Sequence, residues 1–279
     1  MTGESAPDQF SVTAGGATIP ALGFGTARMD DYGTQRRAVE AALEAGYRHV
    51  DTAQTYDSES AVGDAIEDSA VDRDDVFLTT KLAGENRVFD RVKSSTSESL
   101  DLLNTDYVDL LLVHWPNDLV PQEETLAAMN ELREEGVVRH VGVSNFSVAQ
   151  LEAAVSVSNA PIVTNQVEYH VRHRQDELLE WCLDHDVLLT AYSPLDVGRL
   201  ATDPDLDEIG KRYGKTAAQV AIRWLLDQPN VATIPMSSSP AHVRENVDVF
   251  DFELTSEELF EVFELDGPLA LSLRAHLDE

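Results

Sequence analysis

The feature that most constrains this chain is a repeated alternation between short apolar runs and amphipathic helical patterns. The eight apolar runs are, in order, ALGFGT, YRHVDT, VFLTTKL, YVDLLLVHW, VRHVGVSN, PIVTNQVEY, VLLTAYSP and VATIPMS. Between them lie helical patterns such as GTQRRAVEAALEAG, RVKSSTSESLDLLN, QEETLAAMNELREEG and TAAQVAIRWLLDQ. Strands that are apolar along their whole length are typical of a parallel sheet covered by helices. Eight strand–helix units in one chain predict an α/β fold, the (β/α)8 or TIM barrel.

The segment ahead of these runs, FSVTAGGATIP, alternates around Gly15 and Gly16 and predicts a β-hairpin. The competing architecture is a doubly wound sheet, which would need a G-x-G-x-x-G turn after an early strand. GFGTAR lacks the third glycine of that turn. No linker or change in composition divides residues 1–279, so we expect a single barrel domain with an N-terminal hairpin.

Acidic residues greatly outnumber basic ones: 51 Asp and Glu against 20 Lys and Arg give a net charge of −31. Such a surface repels phosphate backbones, so we expect no nucleic-acid partner. Two interpretations of the charge are open, an ordinary acidic protein and an adaptation to molar salt. At molar salt a screening length of ~3 Å lets carboxylates crowd together. We favour the halophilic interpretation, which concerns habitat and not chemistry.

The single cysteine, Cys182, excludes an internal disulfide and fits a reducing cytoplasmic setting. The start of the chain, MTGESAPDQF, has neither the positive region nor the apolar core of a signal peptide. No apolar run approaches the ~20 residues of a membrane span, so we expect a cytoplasmic protein without a membrane partner. We also expect no metal, because His114 has no second histidine or cysteine at ligand spacing. Cys182 and His185 lie on a predicted helix, far from the strand ends.

In a barrel of this kind, functional residues lie where the strands end, at the C-terminal face. All eight apolar runs end in polar or ionisable side chains. These are Thr26, Asp51, Lys81, His114, Ser144 with Asn145, Gln166 with Glu168, Tyr192 with Ser193, and Ser237. One polar strand end is ordinary, because loops are polar. An acid, a rare lysine and a histidine that converge beside a tyrosine indicate chemistry.

The tyrosine in question is Tyr56, which follows Asp51 in the stretch HVDTAQTY. Tyrosine has a reference pKa of about 10, and a nearby ammonium favours the phenolate. Lys81 could supply that ammonium, with Asp51 keeping it ionised, while His114 hydrogen-bonds a carbonyl oxygen. The set predicts protonation of a developing alkoxide, with the hydride arriving from elsewhere.

The motifs GFGTA, HVDTAQTY, TTKL, LLLVHWP, VGVSNF, NQVEYH, AYSPL and IPMSSSPAHVRENVDVFDFELTSEEL resemble, in order, those of the aldo-keto reductase family. The likeness runs from the hairpin to about residue 260 and is greatest to microbial members such as 2,5-diketo-gluconate reductases. It implies NAD(P)(H)-dependent reduction of aldehydes, ketones or keto-sugars. It also implies that Asp51, Tyr56, Lys81 and His114 form the family's catalytic tetrad, with Tyr56 as the general acid. We call these four residues the tetrad.

The resemblance further implies a nicotinamide cofactor, NADPH or NADH, bound without a Rossmann fold. The matching positions are Gly25 and Thr26 at the end of the first run, Ser144, Asn145 and Gln166 for the carboxamide, Tyr192 for stacking on the nicotinamide, Ser193, Leu195 and Ser237 for the pyrophosphate and adenosine, and His242, Glu245 and Asn246 for the adenine end.

The chain departs from the family where the 2′-phosphate of NADPH is usually bound. The family's lysine after IP is Met236 here, and its arginine six residues on is His242. A thioether cannot pair with a phosphate dianion, and histidine does so only when protonated. Arg244, nearby on the predicted helix, points elsewhere. We therefore expect relaxed or NADH-leaning cofactor use.

The predicted substrate pocket departs too. Family members often carry aromatic residues where this chain has Ala27 and Ala83, while Trp115 remains beside His114. A pocket with fewer rings is wider and favours polar or bulky carbonyl substrates. Two alternatives stay open: a cofactor-binding regulatory protein on the same barrel with little turnover, and a phosphate-binding lyase or isomerase, for which IPMSSSPAH lacks a glycine-rich loop. The oligomeric state is open, with a monomer favoured.

Overall fold

A computed structural model of the protein describes residues 10–117 and 119–268. Ten strands lie in this part of the chain. Two of them, β1 (Ser11–Ala14) and β2 (Ala17–Pro20), form an antiparallel hairpin. The other eight form one parallel sheet whose spatial order follows the chain: β3 (Phe24–Gly25), β4 (His49–Asp51), β5 (Phe77–Leu82), β6 (Val108–Val113), β7 (Val138–Ser144), β8 (Ile162–Glu168), β9 (Leu188–Tyr192) and β10 (Val231–Thr233).

The first and last strands of the parallel sheet meet. Leu22, just before β3, pairs with Thr233 of β10 in parallel orientation. The Gly23 amide donates to the Thr233 carbonyl over 2.8 Å, and the Thr233 amide donates to the Ala21 carbonyl over 2.7 Å. These bonds close the sheet, and the predicted (β/α)8 barrel is confirmed.

The predicted hairpin is also confirmed. Its turn is made by Gly15 and Gly16, whose φ angles of 56° and 80° suit the tight turns that match strand twist. The inner side chains of the hairpin fill the N-terminal end of the barrel. They form an apolar cluster that contains Ala14, Ala17, Ile19, Leu110, Leu112, Val163, Leu188 and Ala232. One end of the barrel is therefore closed by the chain itself.

Strand β6 shows why the strands are apolar along their whole length. Successive strand side chains point to opposite faces. Leu110 and Leu112 lie in the cluster inside the barrel, whereas Leu111 and Val113 belong to the outer core under the helices. Both faces are therefore buried. The same alternation on β5 turns Lys81 inward, at the end of the barrel opposite the hairpin.

Ten α-helices lie in the described residues, and those between the strands cover the barrel. They are α1 (Tyr32–Glu44), α2 (Glu59–Glu67), α3 (Phe89–Leu102), α4 (Gln122–Glu134), α5 (Val148–Val157), α6 (Asp176–Asp184), α7 (Pro204–Tyr213), α8 (Ala217–Leu226), α9 (Pro240–Val247) and α10 (Ser256–Glu264). The four quoted helical patterns correspond to α1, α3, α4 and α8. Helix α8 begins at a capping box in which the Thr216 hydroxyl accepts from the Gln219 amide and the Gln219 side chain accepts from the Thr216 amide.

Helix α6 carries Cys182, which is buried and free. Burial raises the pKa of this thiol to about 12, so it stays protonated at neutral pH and packs as a small apolar side chain. Among the described residues, no helix combines the length and the apolar character that crossing a membrane requires.

Candidate active site

Two adjacent strand ends place a buried ion pair at the mouth of the barrel. Asp51 ends β4 and Lys81 lies near the end of β5, and both side chains are almost fully buried, at 1% and 0% exposed. The Lys81 ammonium donates a short hydrogen bond to Asp51 Oδ1 and a second one, of 3.0 Å, to the Thr52 carbonyl. Burial alone disfavours the ammonium, but Asp51 and Tyr56 outweigh it, so the pKa of Lys81 lies above its ordinary value.

Tyr56 reaches this ion pair from the turn that follows β4. Residues Gln54–Tyr56 form one turn of 3-10 helix, which we call the Tyr56 turn. Lys81 Nζ lies 5.0 Å from the centre of the Tyr56 ring. The Tyr56 hydroxyl lies 3.4 Å from His114 Nε2, and the two rings meet edge to face at 5.5 Å and 78°. The structure thus brings the four residues predicted as the tetrad together.

His114 follows β6 and is held by its backbone. Its carbonyl accepts a hydrogen bond of 2.9 Å from Asn145 Nδ2. Burial, with a further contribution from the charge of Lys81, lowers the pKa of His114 to about 4. The imidazole is therefore neutral at neutral pH. A neutral imidazole beside a phenol suits hydrogen bonding to an uncharged carbonyl oxygen.

Residues outside the predicted site hold the Tyr56 turn in place. Gln54 Oε1 accepts from the Ala83 amide over 2.8 Å, and Gln54 Nε2 donates to Ser99 Oγ over 3.2 Å. The buried carboxyl of Glu59, whose pKa is raised by burial, accepts from Thr80 Oγ1 over 2.7 Å and from Ser99 over 3.2 Å. Gln54 and Glu59 were not among the residues predicted from the sequence. The one signal in the sequence was their position in the segment that carries Tyr56.

Four of the residues predicted to bind the nicotinamide lie together beside the tetrad. Asn145, at a φ of 64°, accepts from the Tyr192 hydroxyl over 2.9 Å and donates to Ser144 Oγ over 3.0 Å. Ser144 Oγ in turn donates to the Gln166 carbonyl over 2.8 Å. Gln166 Nε2 donates to Asp51 Oδ2 over 2.7 Å. The flat ring offers a stacking surface for a nicotinamide, and the neighbouring hydroxyl and two amides offer hydrogen-bonding groups that fit its carboxamide.

The residues predicted for the diphosphate lie in the neighbouring loops. Ser193 and Leu195 follow β9, and Ser193 adopts a left-handed φ of 51°. Ser237, after β10, accepts a hydrogen bond of 3.1 Å from the Ser239 amide.

Thr26 donates to the Asp51 carbonyl over 3.1 Å. Gly25 is required by close packing, because a Cβ there would lie 2.9 Å from the carbonyl oxygen of Ile234, the residue that follows β10.

The residues predicted for the adenine end lie on or near α9. His242 is exposed, and Met236 is partly buried. Asn246 is only 4% exposed, and Glu245 accepts from Thr216 Oγ1 over 2.7 Å. Glu245 and Asn246 are thus engaged with the protein, while His242 faces solvent.

The three residues predicted for the substrate pocket differ in exposure. Trp115 is 55% exposed, and its ring lies 6.3 Å from that of His114 at 27°. Its carbonyl accepts a hydrogen bond of 2.6 Å from Arg87 Nη1. Ala27 is partly exposed, whereas Ala83 is buried. The large indole is therefore the open apolar surface next to the imidazole.

An arginine that was not predicted from the sequence lies at the same mouth. Arg28 is exposed and adopts a left-handed φ of 63°. Burial raises the pKa of Tyr192, and the charge of Arg28 partly opposes that rise. The guanidinium is therefore close enough to influence the nicotinamide-stacking candidate. Arg28 thus gives this mouth a positive charge in a chain of net charge −31.

One group of potential metal ligands occurs within the described ranges. Atoms of Glu168, His170 and Asp196 lie within 4.8 Å of one another. The Arg172 amide donates to His170 Nδ1 over 3.3 Å, so the neutral ring carries its proton on Nε2, which faces Glu168 over 3.7 Å. A metal would need that nitrogen unprotonated. The arrangement suits a histidine that donates toward carboxylates.

The closed barrel, its hairpin and the residues at its mouth define a reductase class, and the chain belongs to the Aldo/keto reductase family, whose model matches residues 21–266. Members are NAD(P)-dependent oxidoreductases that act on carbonyl groups, so the predicted enzyme class is confirmed. An aldo-keto reductase of Mycolicibacterium paratuberculosis is 45% identical over 244 residues, which cover 87% of this chain and 85% of that protein.

Solved structures agree with this assignment. A protein provisionally described as 2,5-diketo-D-gluconic acid reductase B superposes with a TM-score of 0.89 at 49% identity, covering 91% of this chain and 90% of that one. The aldo-keto reductase of Bombyx mori, solved in complex with NADP, superposes with a TM-score of 0.86 at 34% identity, covering 94% and 93%. The predicted likeness to a 2,5-diketo-gluconate reductase thus has a counterpart among known structures.

Proposed function

We propose that this protein reduces aldehydes, ketones or keto-sugars to alcohols, with a hydride from NADH or NADPH and a proton from Tyr56. The observation that carries the proposal is the buried ion pair of Lys81 and Asp51 directly beneath the Tyr56 ring. An ion pair fully removed from water is costly. Its placement next to a phenol and a neutral imidazole supports a role in proton transfer.

Each member of the tetrad has one task in the proposed reaction. A nicotinamide bound at this mouth would supply the hydride that adds to the carbonyl carbon. His114 donates a hydrogen bond from Nε2 to the carbonyl oxygen and so orients it. As negative charge develops on that oxygen, the Tyr56 hydroxyl gives up its proton to it, which completes the alcohol. Lys81 stabilises the phenolate that remains, and Asp51 keeps Lys81 charged.

The cofactor is proposed to lie against Tyr192, with its carboxamide at Ser144, Asn145 and Gln166. Its diphosphate would follow the loops that carry Ser193, Leu195 and Ser237. Arg28 adds a positive charge at this mouth. Its attraction favours binding of an anionic cofactor and offsets the repulsion from the acidic surface.

The proposed substrates are polar or bulky carbonyl compounds. Ala27 and Ala83 contribute no rings, and the open apolar surface is the indole of Trp115. A pocket with one large ring offers a substrate less apolar contact area than a pocket with three.

The cofactor preference gives a first test. With Met236 and His242 at the 2′ position, kcat/KM for NADPH should exceed that for NADH by less than about 100-fold, equivalent to ~2.7 kcal/mol. Met236→Lys combined with His242→Arg should raise the NADPH/NADH ratio of kcat/KM by about 10- to 100-fold, because charge-assisted bonds to the phosphate are gained. The neutral pair Met236→Gln and His242→Gln is the matched control. A parent enzyme with a stronger NADPH preference contradicts the proposal.

The reaction itself is tested by following the absorbance of NADH or NADPH in the presence of methylglyoxal or a diketone. We also propose that the acidic surface is an adaptation to salt, so the assay is run in dilute buffer and in molar KCl, with more activity expected in molar KCl. Consumption of cofactor that depends on the carbonyl compound supports the reductase. Cofactor binding by fluorescence without consumption, in both buffers, supports the regulatory alternative.

A further inference from the structure

Both ring nitrogens of His114 face hydroxyl groups, and both hydroxyls come from the Tyr56 turn. The Tyr56 hydroxyl lies 3.4 Å from Nε2. The hydroxyl of the preceding residue, Thr55, lies 3.4 Å from Nδ1. A single turn of 3-10 helix therefore presents two consecutive side chains to opposite sides of one imidazole.

A neutral imidazole carries one proton, and its two nitrogens then have different roles. The protonated nitrogen donates a hydrogen bond, and the other accepts one. The nitrogen that carries the proton is determined by the hydrogen bond that the other nitrogen makes. Because burial keeps His114 neutral, with a pKa of about 4, its tautomer matters at every working pH.

Thr55 is the described neighbour of Nδ1, and its hydroxyl can either donate to that nitrogen or accept from it. In residues 10–117 and 119–268, Thr55 and Tyr56 supply the hydrogen bonds to the ring nitrogens. The Trp115 ring stacks on the imidazole and offers it no hydrogen bond. Lys81 and Asp51 are the charged groups that act on His114, and they act through space. The proposed reaction needs the proton on Nε2, where it points at the carbonyl oxygen.

We propose that Thr55 is a positioning residue, whose hydroxyl donates to Nδ1 of His114 and thereby keeps the ring proton on Nε2. This inference rests on the proposed function and adds a residue to it. Thr55 acts through His114 and transfers no proton itself. Thr55 is an exposed residue, so replacing its hydroxyl removes a hydrogen bond without opening a cavity in the core.

Three variants test the proposal by kinetics. In Thr55→Val, which keeps the shape and removes the hydroxyl, kcat should fall about 3- to 10-fold, the range expected for losing one hydrogen bond. Thr55→Ser restores a hydroxyl and should remain within about twofold of the parent. Thr18→Val is the matched control, an exposed threonine of the hairpin at the opposite end of the barrel. A change in the KM of the carbonyl substrate alone would overturn the positioning role, because it would mean that Thr55 only lines the pocket.

The tautomer is measured directly by nitrogen NMR of histidine-labelled enzyme, with His114→Asn identifying the signals of His114. The parent and Thr55→Ser should show an unprotonated Nδ1 and a protonated Nε2, and Thr55→Val should shift the proton toward Nδ1. An identical tautomer in the parent and in Thr55→Val overturns the proposal. The measurement needs no turnover. A parent that reduces no carbonyl, but shifts its tautomer in Thr55→Val, refutes the proposed function and retains the positioning role.

Discussion

Tyr56→Phe is expected to lower kcat/KM for carbonyl reduction by about 100- to 10,000-fold, the usual contribution of a positioned general acid. The phenyl ring can still pack edge to face against His114 and over Lys81, so the geometry of the pocket should survive. The loss is then the loss of the proton that completes the alcohol. Steady-state kinetics with a diketone, together with cofactor affinity by fluorescence, separates chemistry from binding: kcat should collapse while the Kd of the cofactor stays the same.

The control for this variant is Tyr107→Phe. The Tyr107 hydroxyl donates to Asp74 over 2.7 Å, and the residue precedes β6, away from the barrel mouth. Its removal should leave kcat/KM unchanged. Equal rates for Tyr56→Phe and the parent would show that the phenol is not the proton donor and would refute the proposed mechanism.

Lys81→Met is expected to have the second large effect, on stability as well as on activity. It leaves the Asp51 carboxylate buried without its cation, and breaking a buried pair in this way costs about 3–5 kcal/mol of unfolding free energy. The hydrogen bond from Gln166 persists but brings no positive charge. Urea unfolding measures the loss, and kcat/KM should fall at least about 100-fold, because the phenolate loses its stabilising ammonium.

A double variant distinguishes the two consequences. Lys81→Met combined with Asp51→Asn removes both charges, so most of the lost stability should return. Activity should remain low, because the ammonium is still missing. If the double variant recovered activity together with stability, Lys81 would be a structural residue and not part of the chemistry.

Much of the fold could be predicted because each strand is buried on both faces. Leu110 and Leu112 face the hairpin while Leu111 and Val113 face the helices, which makes β6 one continuous apolar run. The closure of the barrel was harder to predict from the sequence. Strand β3 has only two residues in the ladder, and the bridge that completes the barrel falls just before it, at Leu22. Contacts between the first and last strands leave no periodic pattern in the sequence.

The candidate site could be predicted to the extent that it depends on strand ends. Asp51, Lys81 and His114 each follow an apolar run, and parallel strands bring their ends to one face. The link from Gln166 to Asp51 could not be predicted, since it joins residues 115 apart on strands that are not neighbours. The position of the ring proton of His114 could not be predicted from the sequence either. Under the proposal it depends on the Thr55 hydroxyl, which reaches the ring only once the Tyr56 turn has formed. The catalytic roles themselves remain predictions.

The hairpin at the far end of the barrel has a consequence for how cofactor and substrate enter and leave. Since Ala14, Ala17 and Ile19 pack with the strand side chains inside the barrel at that end, we expect cofactor and substrate to enter on the side of Tyr56. If the proposed cofactor lies deeper in this mouth than the carbonyl compound, we expect it to bind first and to leave last. The N-terminal hairpin, remote from the proposed reacting atoms, would thereby leave both molecules the same side of the barrel for entry and exit.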